Sequence, residues 1–81
     1  MKVLITGTSQ GIGMAIANHF LREGHEVIGI DRQTANVQHK YYRHYQCDVR
    51  DYEKLPDIPS INILINNAGT QNENDIDINL K

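Results

Sequence analysis

Gly7, Gly11 and Gly13, in the run Thr6-Gly7-Thr8-Ser9-Gln10-Gly11-Ile12-Gly13, are the residues whose spacing points most directly to chemistry. Each acts by lacking a Cβ, for a different purpose. Gly7 permits a tight turn, Gly11 lets the backbone approach a pyrophosphate, and Gly13 lets a helix pack closely on a strand. A helix beginning here would offer unpaired N–H groups and a positive dipole end to a phosphate anion. Ser9 and the Ile12 N–H are the candidate phosphate donors. The bland alternative is a tight strand-to-helix connection with no ligand.

Asp31 weighs against that alternative. It follows Gly7 at about the 20-residue spacing at which an acid accepts hydrogen bonds from the hydroxyls of an adenosine ribose. The same charge repels a 2′-phosphate and favours NAD, whereas the neighbouring Arg32 can swing toward a phosphate and argues for NADP. The balance leans to NAD.

These residues need a strand before the glycines and a helix after them. Val3-Leu4-Ile5 is a short apolar run of the kind found in buried parallel strands. From Ile12 to Glu23, Ile12, Ala15, Ile16 and His19 or Phe20 recur at helical spacing, and Gly24 follows as a helix-ending residue. Glu26 to Ile30 and Tyr42 to Val49 read as two further strands. Asp51 caps a helical turn through Leu55 that Pro56 and Pro59 prevent from continuing. Ile61 to Ile65 is the fourth strand, and Asp75 to Lys81 resembles the opening of another helix. The alternation predicts an α/β, doubly wound parallel sheet in the order 3-2-1-4. The links from Asp31 to Tyr41 and from Arg50 to Ser60 are near the minimum of about 10 to 12 residues for a crossover, so one face of the sheet should be thinly covered.

Bulk properties narrow the partners. Eighty-one residues, 40% hydrophobic and 22% charged, suit one folded domain with no room for a second. A net charge of −2 argues against a nucleic-acid or anionic-membrane surface and points to a small-molecule ligand. The basic and aromatic run from His39 to Tyr45 is better read as a sheet edge than as a nucleic-acid platform. Cys47 is the single cysteine, so no internal disulfide forms, and a reduced, cytoplasmic setting fits. It reads as a small buried hydrophobe. The histidines at 19, 25, 39 and 44 lack zinc-like spacing, so no metal site is expected.

The pattern TGxxxGxG, carried by Thr6, Gly7, Gly11 and Gly13, resembles the single-domain branch of the short-chain dehydrogenase/reductase family. Asn66-Asn67-Ala68-Gly69 is similar to a second family motif, and Cys47-Asp48-Val49 to the ending of its third strand. The resemblance implies that Asp48 and Val49 contact the adenine ring. It also implies that Asn67, Ala68 and Gly69 lie beside the ribose and pyrophosphate while stabilising the central sheet. Asn79 resembles the helical Asn that supports the family's proton relay.

The resemblance also implies a catalytic Tyr with a Lys four residues later, and a Ser that positions the substrate carbonyl. No such Tyr–Lys pair exists here. Tyr41, Tyr42, Tyr45 and Tyr52 are followed four positions on by Tyr45, Gln46, Val49 and Pro56. The expectation is a partial dinucleotide-binding domain over 1–81, truncated before the catalytic residues and inactive by itself. The full-length protein would reduce a carbonyl or oxidise a secondary alcohol with NAD or NADP. The expected partners are the cofactor, that small substrate, and further copies of the chain in a homo-oligomer, with no nucleic acid and no membrane. Two alternatives stay open: a non-catalytic dinucleotide-binding or sensor module, and an S-adenosylmethionine-dependent methyltransferase fragment. An incomplete sheet would leave the apolar fourth strand with an unpaired edge and promote self-association.

Overall fold

A computed structural model describes residues 1–47, 60–67 and, for the backbone, 77–80. Its described elements are β1 (Lys2–Thr6), α1 (Gly11–Arg22), β2 (Glu26–Asp31), β3 (Tyr42–Gln46), β4 (Ile63–Asn66) and β5 (Asp77–Leu80). The strands form one sheet in the order β3-β2-β1-β4-β5. The first four are parallel, as the alternation of strand and crossover predicts, with Leu4 beside Ile28 on one flank and Leu64 on the other.

The fifth strand corrects an expectation. Asp77–Leu80 does not open a helix; it runs antiparallel to β4, with Asn79 opposite Leu64 and Ile78 opposite Ile65. The physical reason is the row of backbone donors and acceptors along β4, which a returning strand pairs and a helix leaves unpaired. The β4 edge expected to stand open is therefore occupied by the chain itself.

Val3, Ile5, Val27, Ile63 and Ile65 are buried on one sheet face and join Ala17 and Leu21 of α1 in a single core cluster. Burying a residue of this size contributes about 1.5 to 3 kcal/mol. Ile28 and Ile30, which alternate onto the opposite face, are buried as well. The expected stripe is met in part, since Ile16 and Phe20 pack partly buried against the core. Gly13, Ala17 and Leu21 are its buried residues, while Ile12 is 39% exposed and Ala15 and His19 also face out. Contact between Gly13 and Gly7 sets this rotation, bringing Ala17 and Leu21 inward at successive i+4 steps.

Gly24 ends α1 as expected. At φ 87° it takes the left-handed conformation, its N–H donates to Leu21 O, and the His25 N–H donates to Phe20 O. These are the paired bonds of a Schellman cap.

The link from β2 to β3 contains no helix. One residue, Val37, turns inward and joins the core at 5% exposure, supplying the apolar contact that a crossover helix would spread over several turns. The expected helical turn from Asp51 to Leu55 lies outside the described residues.

Candidate functional site

The glycine loop leaves the C-terminal end of β1, Asp31 closes β2, and Asn66 and Asn67 end β4. All three therefore meet at the carboxyl edge of the parallel strands, where open α/β sheets bind their ligands.

The loop is fixed from below. Gly7 has φ 77°, and its N–H donates to Ile30 O at 2.7 Å. From β4, the Asn67 N–H donates to Thr6 Oγ1 at 2.9 Å and Asn67 Nδ2 to Gly7 O at 3.3 Å, while the Thr6 hydroxyl donates to Asn66 Oδ1 at 3.1 Å. Asn67 thus ties the central strands to the loop, the sheet-stabilising part of its expected role.

Gly11 and Gly13 do different work. A Cβ on Gly13 would lie 1.9 Å from Gly7 O and 2.7 Å from Asn67 Nδ2, so only glycine fits where α1 crosses β1. Gly11 has φ 60°, in the left-handed region, and a Cβ there would meet nothing within 4 Å among the described residues. Open space therefore stands at the mouth of α1. Gln10, the N-cap, makes no side-chain capping bond, and no acid sits in the first turn. The first N–H groups of the helix, that of Ile12 among them, keep their positive end for an outside acceptor. The residues present fit a diphosphate.

Asp31 is brought to this loop. Its Oδ2 accepts from the Ser9 N–H at 3.1 Å and its Oδ1 from the Gln33 N–H at 2.8 Å. A carboxylate has about four acceptor sites, so capacity for ribose hydroxyls remains. Arg32 is exposed beside it, its carbonyl accepting from Gln46 Nε2 at 3.2 Å. Ser9 differs from the expectation: it is 1% exposed, and its hydroxyl donates to Thr34 O at 2.8 Å while its carbonyl accepts from Asn36 Nδ2. The loop's fold consumes this hydroxyl, which faces the β2–β3 link instead of the opening.

A second group of residues at the site is not singled out by the sequence reading. Thr8 Oγ1 lies 2.7 Å from the Tyr42 hydroxyl, which lies 2.8 Å from His44 Nδ1, and His44 Nε2 lies 2.9 Å from Gln33 O. Gly29 makes this possible, since a Cβ there would come within 1.9 Å of the Tyr42 hydroxyl and 2.4 Å of Thr8 Oγ1. A glycine inside a strand is the sequence signal that marks such a close approach. Burial raises the Tyr42 phenol above its ordinary pKa; the Thr8 hydrogen bond opposes the rise and the charge of Asp31 adds to it.

Other site residues are placed as follows. Asp48, Val49, Ala68 and Gly69 lie outside the described residues. Asn79 stands in β5, so it lacks the helical setting of the residue it resembles. Cys47 is partly exposed instead of buried, because it follows the edge strand β3; its N–H donates to Asp31 O. Among the described residues no cluster of His, Cys, Asp and Glu has metal-binding geometry, and no helix is long and apolar enough to cross a membrane.

Known proteins are similar to this chain in sequence and fold. The chain is 42% identical to the uncharacterized oxidoreductase DltE of Bacillus subtilis over 90% of its own length and 34% of the relative's. It is 35% identical to the NADP-dependent 3-hydroxy acid dehydrogenase YdfG of Escherichia coli, covering 85% of this chain and 34% of that protein. The ligand-free structure of Thermoplasma acidophilum aldohexose dehydrogenase superposes with a TM-score of 0.65 at 35% identity, over 84% of this chain and 29% of that one. The chain thus spans about a third of the length of the first curated relatives it matches. The family model described as short chain dehydrogenase matches residues 1–81, the whole stretch that carries the glycine loop, Asp31 and the paired asparagines. By sequence, by sheet order and by the loop at the end of its first strand, the chain belongs to the short-chain dehydrogenase family.

Proposed function

We propose that the chain is the dinucleotide-binding part of an NAD(P)-dependent oxidoreductase that interconverts a carbonyl and a secondary alcohol. The observation that carries the reading is the hydrogen bond from the Ser9 N–H to Asp31 Oδ2 at 3.1 Å, which sets the ribose-binding acid against the phosphate-binding loop. Gly11 leaves room for the diphosphate, the Ile12 N–H and its neighbours face it, and Asp31 receives the ribose. Gly7 and Gly13 shape the loop beneath it. Asp48 and Val49 are assigned to the adenine, and Ala68 and Gly69, with Asn67, to the ribose and pyrophosphate side. When bound, the nicotinamide supplies or accepts the hydride; this chain's residues bind and orient the nucleotide.

The family's proton-donating Tyr and its Lys have no counterpart at the matching spacing within 1–81. We assign proton transfer at the substrate oxygen to residues of the full-length protein beyond this segment, with Asn79 in a supporting place at most. A homo-oligomeric, cytoplasmic full-length protein accords with this reading.

Asp31 favours NAD, because its charge opposes a 2′-phosphate. Exposed Arg32, and a relative named as NADP-dependent, favour NADP. Calorimetric titration of the chain with NADH, NADPH and S-adenosylmethionine decides. NADH is expected to bind most tightly; tighter NADPH reverses the cofactor preference, and binding of S-adenosylmethionine alone overturns the reading.

A further inference from the structure

We infer that Tyr42 and His44 are positioning residues that tie the two halves of the nucleotide site, the glycine loop and the turn after β2, into one body through the chain Thr8–Tyr42–His44–Gln33. The inference rests on the nucleotide-binding reading above and goes beyond it in assigning a role to the edge strand β3.

The donors and acceptors order themselves. Gln33 O is a carbonyl and only accepts, so His44 Nε2 carries the proton at the 2.9 Å contact. In the neutral ring Nδ1 is then the acceptor, and the Tyr42 hydroxyl donates to it at 2.8 Å. That spends the single proton of Tyr42, and the Thr8 hydroxyl donates to the phenol oxygen at 2.7 Å. Every bond in the series runs the same way, from the loop to the turn, and such chains strengthen one another.

The two ends are the two functions. Thr8 is fully buried inside the phosphate-binding loop, beside Ser9. Gln33 belongs to the turn that holds Asp31, its own N–H being bonded to Asp31 Oδ1. Tyr42 and His44 alternate onto one face of β3, and Gly29 supplies the gap through which Tyr42 reaches Thr8. The bonds from Ser9 to Thr34 and from Asn36 to Ser9 join the loop to the β2–β3 link further along. They leave Gln33 to His44. Loss of the chain would free Gln33 and leave the bond from the Ser9 N–H as the direct tie between Asp31 and the loop, and a ligand spanning both would have to pay the cost of ordering the loosened turn.

The test titrates NADH calorimetrically into the wild-type chain and into Tyr42→Phe, His44→Ala, the double variant and His44→Gln. Amide hydrogen exchange at Gln33 and Ser9 is followed by NMR in the same proteins without nucleotide. Each single change is expected to weaken NADH by roughly fivefold to tenfold, the loss of about one hydrogen bond. The double variant should be no weaker than either single one, because both break the same chain. His44→Gln, whose amide can donate to Gln33 O, should restore most of the affinity. Gln33 should exchange faster in Tyr42→Phe although Tyr42 does not touch it. Multiplying effects in the double variant, or Gln33 exchange unchanged in Tyr42→Phe, overturns the inference. Failure of the wild-type chain to bind NADH overturns the nucleotide reading instead, and the exchange rates still decide whether the tether exists.

Discussion

Gly13 sits against Gly7 so closely that a Cβ on Gly13 would lie 1.9 Å from the Gly7 carbonyl oxygen. This contact joins the first turn of α1 to the loop that leaves β1, and it turns Ala17 and Leu21 toward Val3 and Ile5. One backbone contact therefore sets both the floor of the site and the rotation of the helix.

Gly13→Ala and Gly11→Ala should separate stability from binding. The first forces backbone apart and is expected to cost about 1 to 3 kcal/mol in urea denaturation. The second adds a methyl to open space at φ 60°, at a backbone cost of roughly 1 to 2 kcal/mol, and should reduce NADH affinity far more than Gly13→Ala does at equal folded fraction. Equal affinity losses in the two folded variants would contradict the assignment of Gly11 to the diphosphate.

Gly29→Ala tests the crossing of Tyr42 over β2. The new methyl would come within 1.9 Å of the Tyr42 hydroxyl and 2.4 Å of Oγ1 of fully buried Thr8, so the expected loss of stability is about 1 to 3 kcal/mol, from overpacking together with the Thr8–Tyr42 bond. Thermal melting measures the cost, and the loss should shrink without vanishing when Gly29→Ala is made in a Tyr42→Phe background, because Thr8 Oγ1 still stands against the methyl.

Asp31→Asn removes the charge while keeping one oxygen acceptor. The ratio of NADH to NADPH affinity should shift toward NADPH by about tenfold or more, since hydrogen bonds to charged groups contribute roughly 1.5 to 3 kcal/mol. Titration with both nucleotides reads the ratio directly.

Tyr42 should ionise above its ordinary value of 10.0, because burial disfavours the phenolate, with Asp31 adding to the rise and Thr8 opposing it. Folding favours the neutral form, so this contribution to stability is fully present below pH 10 and is lost as pH rises through the folded-state value. The ultraviolet titration of wild type minus Tyr42→Phe should show a single phenol ionising late.

Removal of residues 77–80 should expose the edge of β4. With Ile63 and Ile65 buried in the core and the outer backbone unpaired, the shortened chain is expected to self-associate, as sedimentation velocity would show. A monomer with unchanged amide protection in Ile63–Asn66 would contradict the role given to β5.

Much of this molecule is legible before any coordinates. The glycine spacing, the acid at the end of the second strand and the asparagine pair after the fourth are local signals, each demanded by the backbone geometry or charge at its own position. They place the parallel strands in order and bring Gly7, Gly11, Gly13, Asp31 and Asn67 to one edge of the sheet. Tertiary structure decided what depends on distant partners. The buried stripe of α1 follows from the contact of Gly13 with Gly7, which periodicity within the helix cannot register. Ser9 loses its hydroxyl to Thr34, a partner 25 residues away. The strand at 77–80 forms because β4 offers an unpaired ladder, and the Thr8–Tyr42–His44–Gln33 chain exists only because parallel pairing lays β3 beside a glycine of β2. Short-range rules govern turns, caps and strand runs; which side chain meets which across the sheet is set by register, and register is a property of the assembled fold.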